Sequence, residues 1–288
     1  MANLKEIRSR ITSVASTMQI TSAMKMVSAA KLKRAQNAIT QMRPYATKLT
    51  EILEDLNAGL DVSESGPYAQ NRKVNNVLIV SITSNRGLCG GFNASIIKRT
   101  KQLINDKYKT ASVSIVSIGK KSSENFEKSG LRVVSKEDSI FTDLNFERVS
   151  IIAEKIMSLF VEGSYDKVVL VYNQFKNAAT QKVITENFLP VQESRKNKEA
   201  MLQNYIFEPT KKKIVETLIP KSLKIQLYKA ILDSHASEHG ARMTAMHKAT
   251  DNASELKKEL TLSYNKARQA AITGEILEIV GGAEALNG

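Results

Sequence analysis

Cysteine and long apolar runs are scarce in this sequence of 288 residues, and each scarcity excludes a class of protein. Cys89 is the single cysteine, so neither an intramolecular disulfide nor a thiolate metal cluster can form, which fits a reducing compartment. The longest apolar runs, such as VVLVY at 168–172, are far shorter than the ~18 residues of a membrane-spanning helix. The first ten residues are charged and no apolar segment follows them, so we expect no export signal.

Groups that could perform catalysis are also few. The three histidines all lie between residues 234 and 248 on one predicted helix, so no Ser-His-Asp or Cys-His set can be argued from them. His235, Glu238 and His239 spell H-x-x-E-H, a pattern in which two histidines one helical turn apart can bind zinc. A catalytic zinc site also needs a third protein ligand and a concave site. We therefore predict that these histidines are surface residues, and we assign no catalytic residue, cofactor or metal ligand.

Positive charge, by contrast, is abundant, since 42 Lys and Arg residues stand against 29 Asp and Glu residues and the net charge is +13. This balance suggests a partner surface that is acidic, phosphorylated or a membrane face. Up to Lys48, nine basic residues accompany one acid, Glu6. The basic residues are Lys5, Arg8, Arg10, Lys25, Lys31, Lys33, Arg34, Arg43 and Lys48. No aromatic side chains interleave with them for base stacking, so an acidic protein fits this stretch as well as nucleic acid does.

Hydrophobic periodicity predicts a long helix at each end of the chain. From Ile7 to Leu60, alternating steps of four and three residues meet thirteen apolar residues at sixteen positions, which is the seam of a coiled coil. Pro44 lies within this stretch and predicts a kink. The same spacing runs from Met246 to Leu277, where the seam is rich in small residues that let two helix backbones approach closely. We therefore expect the two terminal helices to pair.

Between these helices, short β-branched runs alternate with helical patterns. The runs are VLIVSIT at 77–83, SVSIVSIG at 112–119, LRVV at 131–134 and DKVVLVY at 166–172. Nearly continuous apolar strands indicate a mostly parallel sheet that is buried on both faces. The predicted fold class is α/β plus a long antiparallel coiled coil, with a Rossmann-like domain inserted between the paired helices. The predicted boundaries are 1–60 for the N-terminal helix, 75–190 for the α/β domain and 210–288 for the C-terminal helix.

The loop SNRGLCGG at 84–91 follows the first predicted strand, where phosphate-binding loops occur in α/β folds. Its glycines, Gly87, Gly90 and Gly91, do not form G-x-G-x-x-G, and the sequence contains no G-x-x-x-x-G-K-[ST] motif. A tight turn at the edge of the sheet is therefore preferred. A nucleotide-dependent α/β enzyme stays an alternative.

Three segments resemble the γ subunits of F-type ATP synthases. The beginning, IRSRITSVASTMQITSAMKMVSAAKLKRAQ, resembles the N-terminal helix of that family. The end, including ITGEILEIVGGAEAL, is similar to the family's C-terminal helix, and RGLCGG resembles a third landmark in the middle of the chain. The family usually has an aspartate where this chain has Asn85, which concerns the local hydrogen bonding of that loop.

The resemblance implies a non-catalytic central rotor stalk of the bacterial type, which transmits rotation of the proton-driven membrane ring to the catalytic β subunits. Its implied partners are the α and β subunits, the ε subunit and the rotor ring of c subunits. Nucleic acid is not expected, and the membrane is expected only through partners, on the cytoplasmic side of the inner membrane. A basic coiled-coil protein that binds nucleic acid is the alternative.

By the same resemblance, six positions are implied to contact partners. Arg268, Gln269 and Thr273 match positions that touch a loop of β, and Met24 and Lys25 match an N-terminal contact area. Tyr205, in NYIFEP, matches the foot that meets the rotor ring.

Overall fold

The computed structural model describes residues 4–57, 66–178, 180–191 and 211–287. Its main elements, in chain order, are α1 Leu4–Asn57, β1 Asn76–Ile82, α2 Phe92–Lys107, β2 Ser112–Ile118, α3 Lys120–Lys128, β3 Arg132–Lys136, α4 Phe146–Val161, β4 Lys167–Phe175, β5 Gln181–Leu189 and α5 Lys211–Asn287. Short 3₁₀ turns occupy Pro67–Ala69 and Asp138–Phe141. None of the helices in these ranges combines the length and apolarity needed to cross a membrane.

The strands form one sheet in the order β3-β2-β1-β4-β5. The pairs β1–β2, β1–β4 and β2–β3 are parallel, and β5 lies antiparallel to β4. In the centre, Val80 of β1 is opposite Val116 of β2 on one side and Leu170 of β4 on the other. The mostly parallel α/β sheet predicted from the apolar runs is thereby confirmed.

Both faces of the sheet are covered, which explains why its central strands read as continuous apolar runs. On one face, Val77 and Ile79 pack with Phe92 and Ile96 of α2. On the other face, the cluster that includes Leu78 and Val80 also contains residues of α4 and of the first part of α5. Each fully buried Val, Leu or Ile side chain contributes about 1.5–3 kcal/mol to stability.

The helix α4 shows how the local sequence sets an element's start and its buried face. Asn145 precedes the helix, and its side-chain oxygen accepts a hydrogen bond from the backbone N–H of Arg148 at 2.9 Å, which is an N-cap. The side chains at the helical spacing of Val149, Ile152 and Ile156 are buried against the sheet. One of the helical patterns between the predicted strands therefore forms a capped helix with one apolar face.

The chain divides into two compact units, Met1–Ser28 with Met243–Gly288, and Ala29–Arg242. In the first unit, the hydroxyl oxygens of Thr21 in α1 and Thr250 in α5 lie 2.8 Å apart, so the two helices are in contact. In the second unit, α1 and α5 also lie together, since the Lys221 ammonium is 5.7 Å from the ring centre of Tyr45. Long N- and C-terminal helices, as predicted, are confirmed.

The two helices contact each other in an antiparallel direction within the second unit. Tyr45 of α1 lies beside Lys221, and the earlier residue Lys31 acts on the pKa of the later residue Glu238. The predicted seam positions Leu32, Ala35 and Ile39 of α1 are buried. Pro44 lies inside α1, and the kink expected there stays a prediction.

In the first unit, the covered side of α5 departs from the predicted seam, and the predicted positions Ala270 and Leu277 toward the end of the helix are exposed. The predicted positions Leu256 and Ser263 are exposed, and Lys257 and Tyr264 are half-buried in their place. Residues three and four positions ahead are neighbours on a helix surface, so the covered side of α5 can continue from Met246 by either step. It continues by four residues to Thr250, which bonds to Thr21, and the later covered positions are therefore shifted by one residue from the predicted seam.

Candidate functional site

The carboxyl ends of β1 and β4 lie side by side at the point where the strand order reverses. In open α/β sheets, ligands bind in the crevice outside the strands at such a point. Here α5 lies against the strands: Ser234 donates a hydrogen bond from its hydroxyl to the Ile82 carbonyl at 3.3 Å, and Ser237 donates to the Asn173 carbonyl at 3.0 Å. Side chains of the same chain thus satisfy backbone groups at this edge of the sheet.

A glycine allows the close approach of α5 at this edge. A Cβ placed on Gly240 would lie 3.2 Å from both the Cα and the carbonyl oxygen of Ala178, in the loop after β4. Such a contact is tighter than ordinary van der Waals packing, so a larger residue would push the helix and the loop apart. The sequence of α5 is therefore adapted to this sheet edge.

An ion pair on α5 holds the loop that follows β1. Arg242 donates from Nη1 to Oε1 of Glu238 at 2.5 Å, and the two side chains are only 9% and 10% exposed. From Nη2 the same guanidinium donates to the carbonyl oxygens of Arg86 at 3.1 Å and Gly87 at 3.3 Å. We call Glu238, Arg242 and these two carbonyls the loop clamp. Because the loop turns carbonyl oxygens toward a cation here, this side of the loop is not arranged to bind a phosphate.

The remainder of the loop is fixed to α2. The backbone N–H of Ser84 donates to the Asn93 side-chain oxygen at 3.0 Å, and the Asn93 amide donates to the Cys89 sulfur at 3.2 Å. Cys89 is buried, and burial raises the pKa of its thiol. Leu88 has a positive φ of 62° and a side chain that is 66% exposed. The loop therefore encloses its thiol and presents a leucine to solvent.

Asn85 uses both ends of its amide. Its Nδ2 donates to the Asp138 carbonyl at 2.7 Å, and its Oδ1 accepts from the Lys120 backbone N–H at 3.0 Å. An ionised aspartate at this position could only accept. Asparagine is therefore matched to the hydrogen bonds that this loop makes.

The histidines of the H-x-x-E-H sequence are not surface residues, so that prediction is wrong. His239 is 5% exposed, and His235 is half-buried with its ring 5.8 Å from that of Phe141. Burial lowers the pKa of His235 to about 4 and that of His239 to about 3, so both are neutral at pH 7. The sequence misled because α5 is buried on nearly all sides between 230 and 242, where a solvated helix face was assumed.

The same cluster does not provide the ligands of a zinc site. The Oε1 of Glu238 is bonded to Arg242, and the two histidine Nε2 atoms face each other at 3.1 Å. Across the residues that the structure describes, no group of three or more His, Cys, Asp or Glu side chains could hold a metal ion.

The structure places the predicted contact residues in separate areas. Arg268, Gln269 and Thr273 are exposed on α5, and the Thr273 hydroxyl donates to the Gln269 carbonyl one turn earlier at 2.9 Å. Met24 and Lys25 are half-buried on α1.

The distance between these areas follows from the helix contact in the same unit. Thr21 of α1 bonds to Thr250, and Arg268 lies eighteen residues further along α5, which is about 27 Å at the helical rise. The N-terminal contact area is therefore not adjacent to Arg268. Tyr205 lies outside the described residues.

An exposed apolar surface near the end of α5 was largely missed by the sequence reading. Its large side chains are 43% to 70% exposed, and they are Leu262, Ile272, Ile276, Leu277, Ile279 and Val280. Single exposed apolar residues are ordinary, but several together on one helix end mark an interaction surface. The signal in the sequence is an apolar residue on more than one side of the helix, which a single seam does not explain.

Comparisons with known proteins agree on one family. A family model described as ATP synthase matches residues 3–286. Curated proteins named ATP synthase gamma chain, from Christiangramia forsetii and Flavobacterium johnsoniae, are 61% and 62% identical to this chain, each over 100% of both chains.

Solved structures give the same result for the fold. The chain is similar to one in the central stalk and c-ring of Tetrahymena thermophila mitochondrial ATP synthase, with 26% identity, a TM-score of 0.60, and 80% of this chain and 99% of that chain covered. A chain of Euglena gracilis mitochondrial ATP synthase has a TM-score of 0.71 at 21% identity, over 98% of this chain and 94% of that chain. The fold, a mostly parallel α/β sheet with long N- and C-terminal helices, is therefore similar to that of chains in these two ATP synthase structures.

Proposed function

The chain belongs to the family of ATP synthase γ chains, and on this basis we propose how it works as the central rotor stalk of an F-type ATP synthase. Proton flow turns a ring of c subunits, the stalk turns with the ring, and the rotating surface of the stalk changes the conformation of each catalytic β subunit. A rotor position can favour one β conformation only by interacting unequally with the alternatives. The similarity to a stalk and c-ring structure supports this role.

The exposed end of α5 is the observation that carries the proposal. Its apolar side chains are left in solvent by the chain itself, and Arg268, Gln269 and Thr273 lie in the same stretch. Enclosing these side chains in a ring of α and β subunits would remove apolar surface from water, worth about 25 cal/mol per Å². We assign Arg268, Gln269 and Thr273 to a contact with β, and Met24 with Lys25 to a second contact on α1.

The sheet with its flanking helices α2, α3 and α4, which we call the α/β unit, is assigned a different role, attachment to the ε subunit and the c-ring, with Tyr205 as a ring contact. The loop clamp is a means of fastening α5 to this unit, because it joins α5 to the loop after β1 through a buried ion pair. The subunit itself breaks and forms no covalent bonds, and the chemistry belongs to β. We place it on the cytoplasmic side of a bacterial inner membrane, held there by its partners.

Rotation of the α/β unit is the direct test. Cys89 is 1% exposed, so a cysteine introduced at the exposed position Lys109 provides a specific attachment point for a bead. In the assembled complex, with the α and β subunits fixed to a surface, ATP should drive the bead in one direction. A bead that stays still while the same complexes hydrolyse ATP would refute the rotor assignment. A complex without ATP is the control.

A further inference from the structure

A buried carboxyl group of α5 has no role in the proposal above. Asp233 is 2% exposed, and its Oδ1 atom has no hydrogen-bond partner within the described residues. A buried polar atom without a partner is unfavourable, and the penalty is far larger for an ionised carboxylate than for a neutral carboxylic acid. The position of Asp233 therefore favours the form of its side chain that carries a proton.

The charged and titratable side chains that act on Asp233 come from α1, the sheet and α5. Arg43 belongs to α1, Tyr172 to β4 and Glu186 to β5, and Lys229 precedes Asp233 by one turn of α5. We call these five residues the Asp233 cluster. Since all of them belong to the second unit, the cluster joins two helices and two strands of one compact body.

Two hydrogen bonds fix the carboxylate of Glu186 in the cluster. Its Oε2 accepts from the Tyr172 hydroxyl at 2.7 Å, and its Oε1 accepts from Nε2 of Gln226 at 2.8 Å. Burial and this fixed negative charge raise the pKa of Asp233 to about 6, while Lys229 and Arg43 oppose the rise. Asp233 is thus poised to gain or lose its proton in mildly acidic solution.

An open cleft lies beside the cluster. It encloses about 500 Å³, and its lining includes Arg43 and Thr47 of α1, Glu186 of β5, and Ser222 and Lys229 of α5. Asp233 is not among the lining residues, so its carboxyl group is separated from the solvent in the cleft. Because α1 forms one side of the cleft, a small outward movement of this helix would let water reach Asp233.

We propose that the Asp233 cluster is a proton-controlled joint, which holds α1 against α5 when Asp233 is protonated and loosens when Asp233 is ionised. Ionisation leaves a carboxylate buried, and water from the cleft relieves that cost only if α1 moves. The joint is therefore tighter in acid than at neutral pH. It uses none of the residues assigned above to partner contacts, so it stands or fails separately from the rotor assignment.

Amide hydrogen exchange of the full chain, corrected for the intrinsic pH dependence of exchange, measures the opening of the joint. A carboxyl group whose pKa is about 6 in the closed joint and 3.8 once hydrated makes opening about tenfold more frequent at about pH 7 than at about pH 5. The amides of α1 from Tyr45 to Leu49 should therefore lose about tenfold in protection over this range, while those of α2 keep theirs. In Asp233→Asn the loss should be below about twofold, because the amide side chain cannot ionise.

The exposed Asp106 provides a matched control, and Asp106→Asn should keep the wild-type response. A wild-type response that persists in Asp233→Asn, or no response in the wild type, would overturn the proposal. An equal change in α2 would also overturn it, since the proton would then act on the whole fold and not on the joint.

Two neighbouring charges test the cluster itself. Glu186→Gln removes a like charge, so the midpoint of the exchange response should move to lower pH, by about half a unit. Arg43→Gln removes an opposing cation, so the midpoint should move by a similar amount to higher pH. Opposite shifts support the joint. Midpoints that stay at the wild-type value in both variants would show that these side chains do not control Asp233, and the proposal would fail.

Discussion

The loop clamp gives the sharpest prediction. Replacing Arg242 with methionine keeps much of the side chain's length and leaves Glu238 in place, 10% exposed and without its cation. Breaking a buried ion pair from one side costs about 3–5 kcal/mol, because the remaining charge stays buried. A domain's total stability is about 5–15 kcal/mol, so this single change should remove a large part of it. The midpoint of urea unfolding measures the loss.

The loss should depend on pH in a defined direction. Burial already raises the pKa of Glu238, and Arg242 opposes that rise. Without Arg242 the folded-state pKa rises further, so the folded chain binds a proton that the unfolded chain releases. A raised pKa gives stability that is present at low pH and lost as pH rises through the folded value. The deficit of Arg242→Met relative to wild type should therefore shrink as pH falls toward the ordinary glutamate pKa of 4.5.

A double variant separates the effect of the loop clamp on stability from its effect on ATP synthesis. Glu238→Leu with Arg242→Met removes both charges, and such replacements are often neutral or stabilising. Arg86 and Gly87 are exposed residues, and we expect water to replace Arg242 at their carbonyls. The double variant should melt close to wild type but synthesise ATP poorly if the clamp fastens α5 to the loop. A stability loss below about 1 kcal/mol for Arg242→Met would show that the pair is effectively solvated, and it would refute this reasoning.

Three further predictions concern single side chains. Burial raises the pKa of Asp233 from 3.8 to about 6, so stability that this group gives at low pH is lost between those values, and Asp233→Asn should exceed wild type by about 3 kcal/mol at pH 7 in urea titrations but match it near pH 4. Burial lowers the pKa of His239 from 6.5 to about 3, so the stability that this group contributes is present above pH 6.5 and lost as pH falls, and His239→Gln should lose less stability than wild type on acidification in thermal melts. Arg268→Ala should leave the melting of the isolated chain unchanged but weaken proton-driven synthesis in the complex, and Arg268→Lys should restore it in part; full synthesis by Arg268→Ala would contradict the β contact.

The sheet was predictable from sequence to the extent that its strands are buried on both faces. The strands β1, β2 and β4 read as continuous apolar runs because helices cover both sides of them. The edge strand β5 was not among the predicted strands. Most of its residues are half-buried and its sequence, QKVITENFL, mixes polar and apolar residues, so it lacks the run that identified the others.

The loop clamp could not be predicted, although its charges were visible. Glu238 and Arg242 stand four residues apart, which on a helix predicts an ordinary surface pair. Their burial depends on the loop after β1, about 150 residues earlier in the chain, and on the close approach at Gly240. Periodicity describes one helix at a time, so it cannot show that a second element closes over a face. The histidine prediction failed for the same reason.

The glycines of α5 have two different physical causes, and only Gly274 among those discussed here belongs to the predicted seam. At Gly240 the missing side chain makes room for Ala178, so the contact lies within the chain. At Gly274, Gly281 and Gly282 a Cβ would meet no atom within 4 Å, so nothing near them in the described structure requires glycine. Each glycine inside a helix costs about 1 kcal/mol relative to alanine. Glycines at these three positions, beside exposed isoleucines, allow a surrounding protein to pass close to the helix backbone. The rotor assignment places the end of α5 in such an environment.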